Sequence, residues 1–461
     1  MTATTAMSSA QGPQHSRASQ RRALTYQGFL RGCILTLLLP TSPAHAINGF
    51  FLPGYGAKLI GVAGTGVAMP QDRMAAAVNP AGMGLVEPGF DASAMFLLPH
   101  REGGLDCTGI GACDRNVEDN SRRDFFQVPG FGYSKRVRPN LTLGLTLYAN
   151  GGLNTTYGKA FYDEVTARIG GGRPGTPGFP TEGKVGIDLA QFIFAPTAAW
   201  RVDERLTVGI SPLIIVQKFS ARGLQGFAPL SADPSSVSNR GADYQIGGGV
   251  RAGLIYTLVP GLRFGMQYTS ELFIPKYTKY NGLFANDGQL NSPAHYTVGL
   301  SWDATPRLTL GFDFQEVLFG TIDNIGDRGP TALELAGQIR PERRLGGSDG
   351  IGFGWHNLSI VKLGAILKVT EQLTARIGWN HNFGVVGAAG ALFAPVAPAP
   401  MRDDLAIGMS MTLPGNRGEM SVGYFHALQR TTHSDRTPYF GVPASATASA
   451  DGINMSYGRD F

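Results

Sequence analysis

The chain has 461 residues, of which 64 are glycine and only 16% are charged, against about 25% charged in an ordinary soluble domain. Its 43% hydrophobic content excludes a disordered chain, its glycines lack the three-residue period of collagen, and past residue 50 no uncharged apolar run reaches the ~18 residues of a spanning helix. The net charge of +5, from 39 basic and 34 acidic residues, forms no basic stripe interleaved with aromatics, so nucleic acid is not expected as a partner.

Residues 1–46 read as a secretory signal. Arg21, Arg22 and Arg31 precede the apolar run Cys33-Ile34-Leu35-Thr36-Leu37-Leu38-Leu39, and Ala44-His45-Ala46 supplies the small residues of a cleavage site. Cys33 stands at the front of the apolar run and not after it, with Arg31 where a small residue is wanted, which argues against lipidation. Export leaves Cys107 and Cys113 as the cysteines of the mature chain. In an oxidising compartment they are expected to close a small disulfide loop, since a metal site needs more ligands than two thiols.

Residues 47–89 do not alternate. They contain Gly61-Val62-Ala63-Gly64-Thr65-Gly66-Val67-Ala68, Asp72 and Asn79-Pro80-Ala81-Gly82. A nucleotide-binding reading fails, because the glycine spacing is wrong and no strand-loop-helix unit surrounds it. The glycines read instead as sites of close backbone packing.

From about residue 90 onward the apolar residues recur with period two. Leu141, Leu143, Leu145 and Leu147 oppose Thr142, Gly144, Thr146 and Tyr148, and Leu308, Leu310, Phe312 and Phe314 oppose Thr309, Gly311, Asp313 and Gln315. Each set is one face of a strand. The same reading predicts fourteen strands, near 90–98, 124–135, 140–150, 188–201, 205–219, 243–258, 261–273, 292–303, 306–316, 356–369, 372–382, 402–413, 419–429 and 452–461. Short connections alternate with long ones along the whole series. A closed transmembrane barrel requires that rhythm, since successive hairpins open toward opposite membrane faces. The irregular segment 47–89 cannot face lipid, which leaves the barrel lumen to receive it.

These features together resemble the FadL/TodX-type outer-membrane transporters of long-chain fatty acids and other hydrophobic compounds. The glycine-alanine stretch 61–68, Asp72 and Asn79-Pro80-Ala81-Gly82 carry the resemblance, followed by Gly132-Tyr133 and Leu141 to Leu145 ahead of Tyr157. The fold class expected is all-β: a 14-stranded antiparallel transmembrane barrel over 90–461, with an N-terminal hatch over 47–89 plugging the lumen. The resemblance implies passive uptake of a hydrophobic solute, with exit through the barrel wall into a Gram-negative outer membrane. It implies monomeric barrels surrounded by outer-membrane lipid and lipopolysaccharide. The alternating 453–461, ending on Phe461, resembles the signal by which the barrel-assembly machinery recognises its clients, although Arg459 departs from the pattern.

Asn79, Pro80 and Ala81 match the family's hatch motif and are expected to form a defined corner that gates the pocket, or a folding turn alone. Gly151 and Gly152 follow the third strand, where the family's wall is kinked inward; a plain loop start is the other reading. Face assignment turns Arg251, Arg263, Glu271, Asp313 and Arg376 inward. An apolar tail and one cation suffice to recognise a fatty acid, so Arg251 and then Arg263 are the candidate substrate contacts, pairing with each other or with the plug being the alternative. Phe227, Phe273, Tyr277, Tyr280, Phe319 and Phe353 divide between interfacial girdle and capture surface, and the apolar 391–396 is capture surface or folded onto the barrel top. No serine stands in a nucleophile setting beside His381, His426 or His433, so neither enzyme activity nor a cofactor or metal is expected. A diffusion porin and a loop-based adhesin are the alternatives; the segment 47–89 weighs against the porin.

Overall fold

The computed structural model describes residues 1–2, 48–105, 117–161, 163, 183–335, 337–385, 397–415, 417–434 and 443–461. The chain divides into units Met1–Pro43 and Ala44–Phe461. The expected signal segment therefore lies almost wholly outside the described residues, as do Cys107, Cys113 and the apolar 391–396.

The second unit is one antiparallel sheet. Its strands are β1 (Gly89–Leu105), β2 (Val117–Asn120), β3 (Phe126–Arg138), β4 (Leu141–Asn154), β5 (Gly186–Arg201), β6 (Leu206–Arg222), β7 (Asp243–Val259) and β8 (Leu262–Thr269). They continue as β9 (His295–Thr305), β10 (Leu308–Val317), β11 (Leu358–Lys368), β12 (Leu373–Asn382), β13 (Asp403–Thr412), β14 (Glu419–Ser434) and β15 (Ala444–Asp460). Each strand pairs with its sequence neighbour, except that β3 pairs with β1 and the four-residue β2 folds back on the far end of β1. β15 returns to β1 in unbroken register from Gly89↔Asp460 to Leu105↔Ala444. The result is a closed barrel of fourteen strands, in which β15 and β1 cover each other's edges.

Alternation sends each strand's two residue sets to opposite faces. Trp200, Ile210, Ile246, Ile377, Ile407 and Met455 are exposed on the outside, while Thr146, Gln217, Arg251, Ser301, Asp313 and Asn380 are buried on the inside. An apolar exterior around a polar interior inverts a soluble protein and suits a wall that faces lipid.

The fourteen predicted strands all exist, but several differ at the long-loop end. β1 runs to Leu105, β14 to Ser434, and β15 begins at Ala444 where the alternation predicts 452. There the chain reads Ala444-Ser445-Ala446-Thr447-Ala448-Ser449. Small residues carry little hydropathy contrast, so pairing with β1 and not periodicity reveals the strand. Conversely, β8 stops at Thr269, and Glu271 lies beyond it, exposed, where its carboxylate accepts from Asn291 Nδ2 at 2.5 Å. The inward assignment of Glu271 is thus corrected: the alternation that supported it ends two residues earlier.

Candidate functional site

Residues 48–84 are almost wholly buried against the inner face of the barrel, seated on a collar of glycines. Nearly every strand carries a glycine on its inner face at a similar height, and these pair across the wall: Gly209↔Gly253, Gly265↔Gly299, Gly311↔Gly364, Gly364↔Gly378 and Gly408↔Gly423. The N-terminal segment winds along this collar in order. Ala57 meets Gly423, Gly61 meets Gly408, Val62 meets Gly378, Thr65 meets Gly364 and Gly311, Val67 meets Gly265, Asn79 meets Gly253 and Pro80 meets Gly209. A methyl group on Gly408 would fall 2.8 Å from the Cα of Gly61, well inside carbon–carbon contact distance. Main chain thus lies directly against main chain, which only glycine permits.

Polar groups fix the segment at defined points. The buried Asp313 carboxylate accepts from the amides of Gly66 at 2.7 Å and Val67 at 3.0 Å. Arg251 donates through Nη1 to the carbonyls of Ala76 (3.1 Å) and Ala77 (2.6 Å), and through Nε to Thr269 Oγ1 (2.8 Å). Arg73 pairs with the buried Asp91 at 3.1 Å and with Asp460, tying the segment to the first and last strands near the short-turn end.

The Asn79-Pro80-Ala81 corner does more than turn the chain. Asn79 caps the 3-10 helix Pro80–Gly84, its Oδ1 accepting from the Ala81 amide at 3.1 Å. Its Nδ2 donates to Val67 O at 2.7 Å and across to Leu254 O of β7 at 3.0 Å. One side chain therefore joins two parts of the segment to the wall. Pro80 at the first helical position is preorganised for that turn and has no amide hydrogen to leave unpaired.

Above these anchors remains a cavity of about 30 Å³, lined among others by Pro53, Tyr55, Arg251, His295, Asp313 and Lys362. That is room for one or two waters, not for a fatty acid. Phe51 lines this cavity, and the rings of Phe50 and Phe51 lie 5.1 and 5.8 Å from Phe319, with Trp355 5.3 Å from Phe319. Farther toward the long loops, Ile187, Phe219, Phe227, Phe284, Leu345 and Phe353 line an almost wholly apolar pocket of about 50 Å³. Tyr277 and Tyr280 are buried against the same cluster, whereas Phe273 is exposed on the outside.

The wall itself is interrupted beside the segment. The β3–β4 ladder ends at Gly130↔Tyr148, although β3 continues with β1 to Phe126 and β4 with β5 to Asn154. Contact resumes where the Arg122 amide donates to Thr156 O at 2.8 Å. Within the interval β4 shifts register between Ala149 and Gly151, and Pro129, which has no amide hydrogen, stands where the ladder stops. Gly151 and Gly152 thus lie inside β4, and the plain-loop reading is replaced by an irregular strand. The segment fills the vacancy from within: Phe51 bridges Gly151, the Gly152 amide donates to Phe50 O at 2.9 Å, and the Leu52 amide to Asn150 O at 3.3 Å. Any side chain on Gly151 would overlap Phe50 O, and its φ of +155° disfavours one in any case.

The two candidate arginines are not brought together. Arg251 lines the cavity; Arg263 sits near the short-turn end, its Nη2 3.2 Å from Ser301 Oγ and 3.7 Å from Asp303. Two features escaped the sequence reading. Lys362, buried and lining the cavity with Arg251, was legible from the outward Val361 and Leu363 on either side. The collar was legible from its recurrence, an apolar residue then glycine on strand after strand: Leu143-Gly144, Val208-Gly209, Leu310-Gly311, Leu363-Gly364, Ile377-Gly378, Ile407-Gly408 and Val422-Gly423.

No protein-family model matches the chain, and no curated protein matches it. Solved structures do match it in fold. The toluene transporter TodX of P. putida superposes with a TM-score of 0.62 at 16% identity, over 89% of this chain and 99% of that one. A FadL homologue from Pseudomonas aeruginosa gives 0.63 at 14% identity over 90% and 100%. The toluene transporter TbuX of Ralstonia pickettii gives 0.58 at 17% identity over 89% and 99%. The chain has the fold of the FadL/TodX-type barrels, fourteen closed antiparallel strands matched over nearly their whole length.

Proposed function

We propose that the protein is an outer-membrane transporter for passive uptake of hydrophobic compounds, gated by residues 47–89 and releasing its cargo sideways through the interval between β3 and β4. The observation that carries this reading is the coincidence of two features. The chain's own N-terminal segment occupies the bore, leaving beside Arg251 and Lys362 a cavity of only about 30 Å³, and the wall lacks its ladder where that segment is hydrogen-bonded to it. An apolar solute passed from the loops through such an opening enters lipid without a long aqueous exposure. TodX and TbuX are toluene transporters by name, and their shared fold supports a cargo of this kind.

Cargo enters at the apolar pocket among Phe219, Phe227 and Phe353 and moves inward as the rings of Phe50 and Phe51 give way. For a fatty acid, the carboxylate recipients are Arg251 and Lys362. Arg251 is engaged with the carbonyls of Ala76 and Ala77, so a carboxylate that competes for its guanidinium also loosens the segment. Binding and opening are thereby one event. Arg263, paired at the short-turn end, is a support of the wall in this scheme. The signal segment 1–46 is removed, Cys107 and Cys113 form a disulfide, and the barrel inserts as a monomer by way of its terminal strand and Phe461.

The test combines binding and conductance. Purified protein should bind tritiated oleate or toluene and show no large stable conductance in planar bilayers, and deletion of Asn150, which removes the extra residue at the β4 register shift, should restore the ladder and stop uptake. Large steady conductance without hydrophobe binding would establish a porin; neither signal would leave the adhesin. Mass spectrometry of unreduced protein should show Cys107 joined to Cys113.

A further inference from the structure

A second cleft lies on the outer wall, above the interrupted ladder. On the outward faces of β5 and β6 the apolar residues Phe192, Phe194, Ile214 and Val216 are exposed. One step nearer the long loops the same faces change character, to Lys218 beside Ala190 and then Arg222 beside Gly186. Here a cleft of about 250 Å³ opens, lined by Arg122, Arg123, Lys184, Asp188 and Arg222 among others.

Its charge is out of balance. Asp188 is shared by Arg123 at 2.6 Å and Lys218 at 2.5 Å, so one carboxylate serves two cations. Arg122, Lys184 and Arg222 have no carboxylate within ion-pair distance among the described residues, and the nearby Asp119 is engaged by the Gly158 amide. Among the described residues, five cations gather here around Asp188, with Asp119 beside Arg122 as the second carboxylate, on a surface that borders the exposed apolar residues of β5 and β6. Holding like charges together is unfavourable unless a multivalent anion joins them, and arginine forks match phosphate oxygens two at a time.

We propose that this cleft binds the phosphorylated sugar headgroup of a lipid A-type glycolipid, whose acyl chains lie against Phe192, Phe194, Ile214 and Val216. The height decides between sources: a free phosphate needs only the cations, whereas a lipid headgroup needs the cations directly above a lipid-facing apolar surface. The bound headgroup would clamp the upper rim of the β3–β4 interval, since Arg122 and Arg123 approach it from the β3 side and Lys184 and Arg222 from the β5–β6 side. The proposal rests on outer-membrane placement but not on what the bore carries.

The experiment uses the full mature chain in detergent, titrated with bis-phosphorylated lipid A, with fully dephosphorylated lipid A, with inorganic phosphate and with oleate, followed by native mass spectrometry. Bis-phosphorylated lipid A should bind at one equivalent, at least tenfold more tightly than the dephosphorylated form. The R122Q/R222Q variant, with normal heat-modifiable mobility, should lose that preference while binding toluene as before. Equal binding of the two lipids to the unaltered protein would overturn the proposal even if the variant failed to fold. Displacement of lipid A by inorganic phosphate or oleate at equal concentration would overturn it as well. Membrane fractionation and toluene uptake report separately on the transport reading.

Discussion

The two ends of the interior hold the same N-terminal segment by opposite means. Toward the short turns, residues 57–84 lie main chain against main chain on the glycine collar and are pinned by Asp313, Arg251 and Asn79. Toward the long loops, Phe50 and Phe51 meet Phe319 and Trp355 ring to ring, in a cluster that continues through Phe219, Tyr277 and Phe284. Backbone contacts and buried hydrogen bonds either fit or fail, whereas aromatic side chains can change rotamer and repack. The contrast gives the segment a rigid seat at one end and a deformable aromatic lid at the other, and the gating proposed above would begin at that lid.

The sharpest way to break this contrast is to fill the collar. Gly378→Leu drives a side chain into Val62 and Ala63, where the neighbours are backbone and cannot yield, so the segment should fail to seat. The expected result is rapid tryptic cleavage at Lys58 and Arg73 with barrel mobility on gels unchanged. Next, Asp313→Ala orphans two buried amides at about 1.5–3 kcal/mol each, and cleavage should accelerate by about a hundredfold or more. Asn79→Ala removes a helix cap worth about 1 kcal/mol and strips the Val67 and Leu254 carbonyls of a donor. Uptake should fall and cleavage rise by roughly tenfold, and unchanged uptake would assign this corner to folding alone. At the other end Phe50→Leu should cost less than any of these, because a cluster of side chains can close around the smaller residue and the cost of a large-to-small change falls as the site collapses. A collapse there equal to that of Gly378→Leu would abolish the distinction between seat and lid.

The smallest effect concerns the long loop 318–357 that supplies Phe319 and Trp355. Glu334 accepts from Arg328 at 2.9 Å through both oxygens, from the Thr331 amide at 2.8 Å and from Arg343 at 3.1 Å. The Arg328 fork, before all else, holds its carboxyl down at about 2. A depressed folded value means that the stabilisation is complete above the unfolded value of about 4.3 and is lost as pH falls from there toward about 2. Hydrogen exchange in 325–355 should quicken over that window, and Glu334→Gln should remove the pH dependence; an unchanged profile in the variant would assign it to another group.

Much of this was legible in the sequence because a lipid-facing wall imposes period two. The outward Leu310 and Phe312 placed Asp313 inside, and Tyr244, Ile246 and Val250 placed Arg251 inside, as the structure has them. The rule failed where its physical basis ends. Glu271 lies past the last paired residue of β8, and at 444–449 the buried face is made of alanines opposite serine and threonine, side chains too small and too alike in hydropathy for the alternation to show. Gly151 and Gly152 carried a signal for irregularity, but not that the missing neighbour would be residues 50–52.

Periodicity and turn lengths by themselves determined a fourteen-stranded barrel, its two faces and the exclusion of segment 47–89 from lipid, because each follows from local alternation and the need to satisfy backbone groups in a medium without water. Only the tertiary structure decided where that segment sits, that glycines far apart in the chain form one collar beneath it, and that Arg251 and Lys362 share a cavity while Arg263 does not. Those facts depend on which residues closure of the cylinder brings to the same height, and register between distant strands is written in no single stretch of sequence.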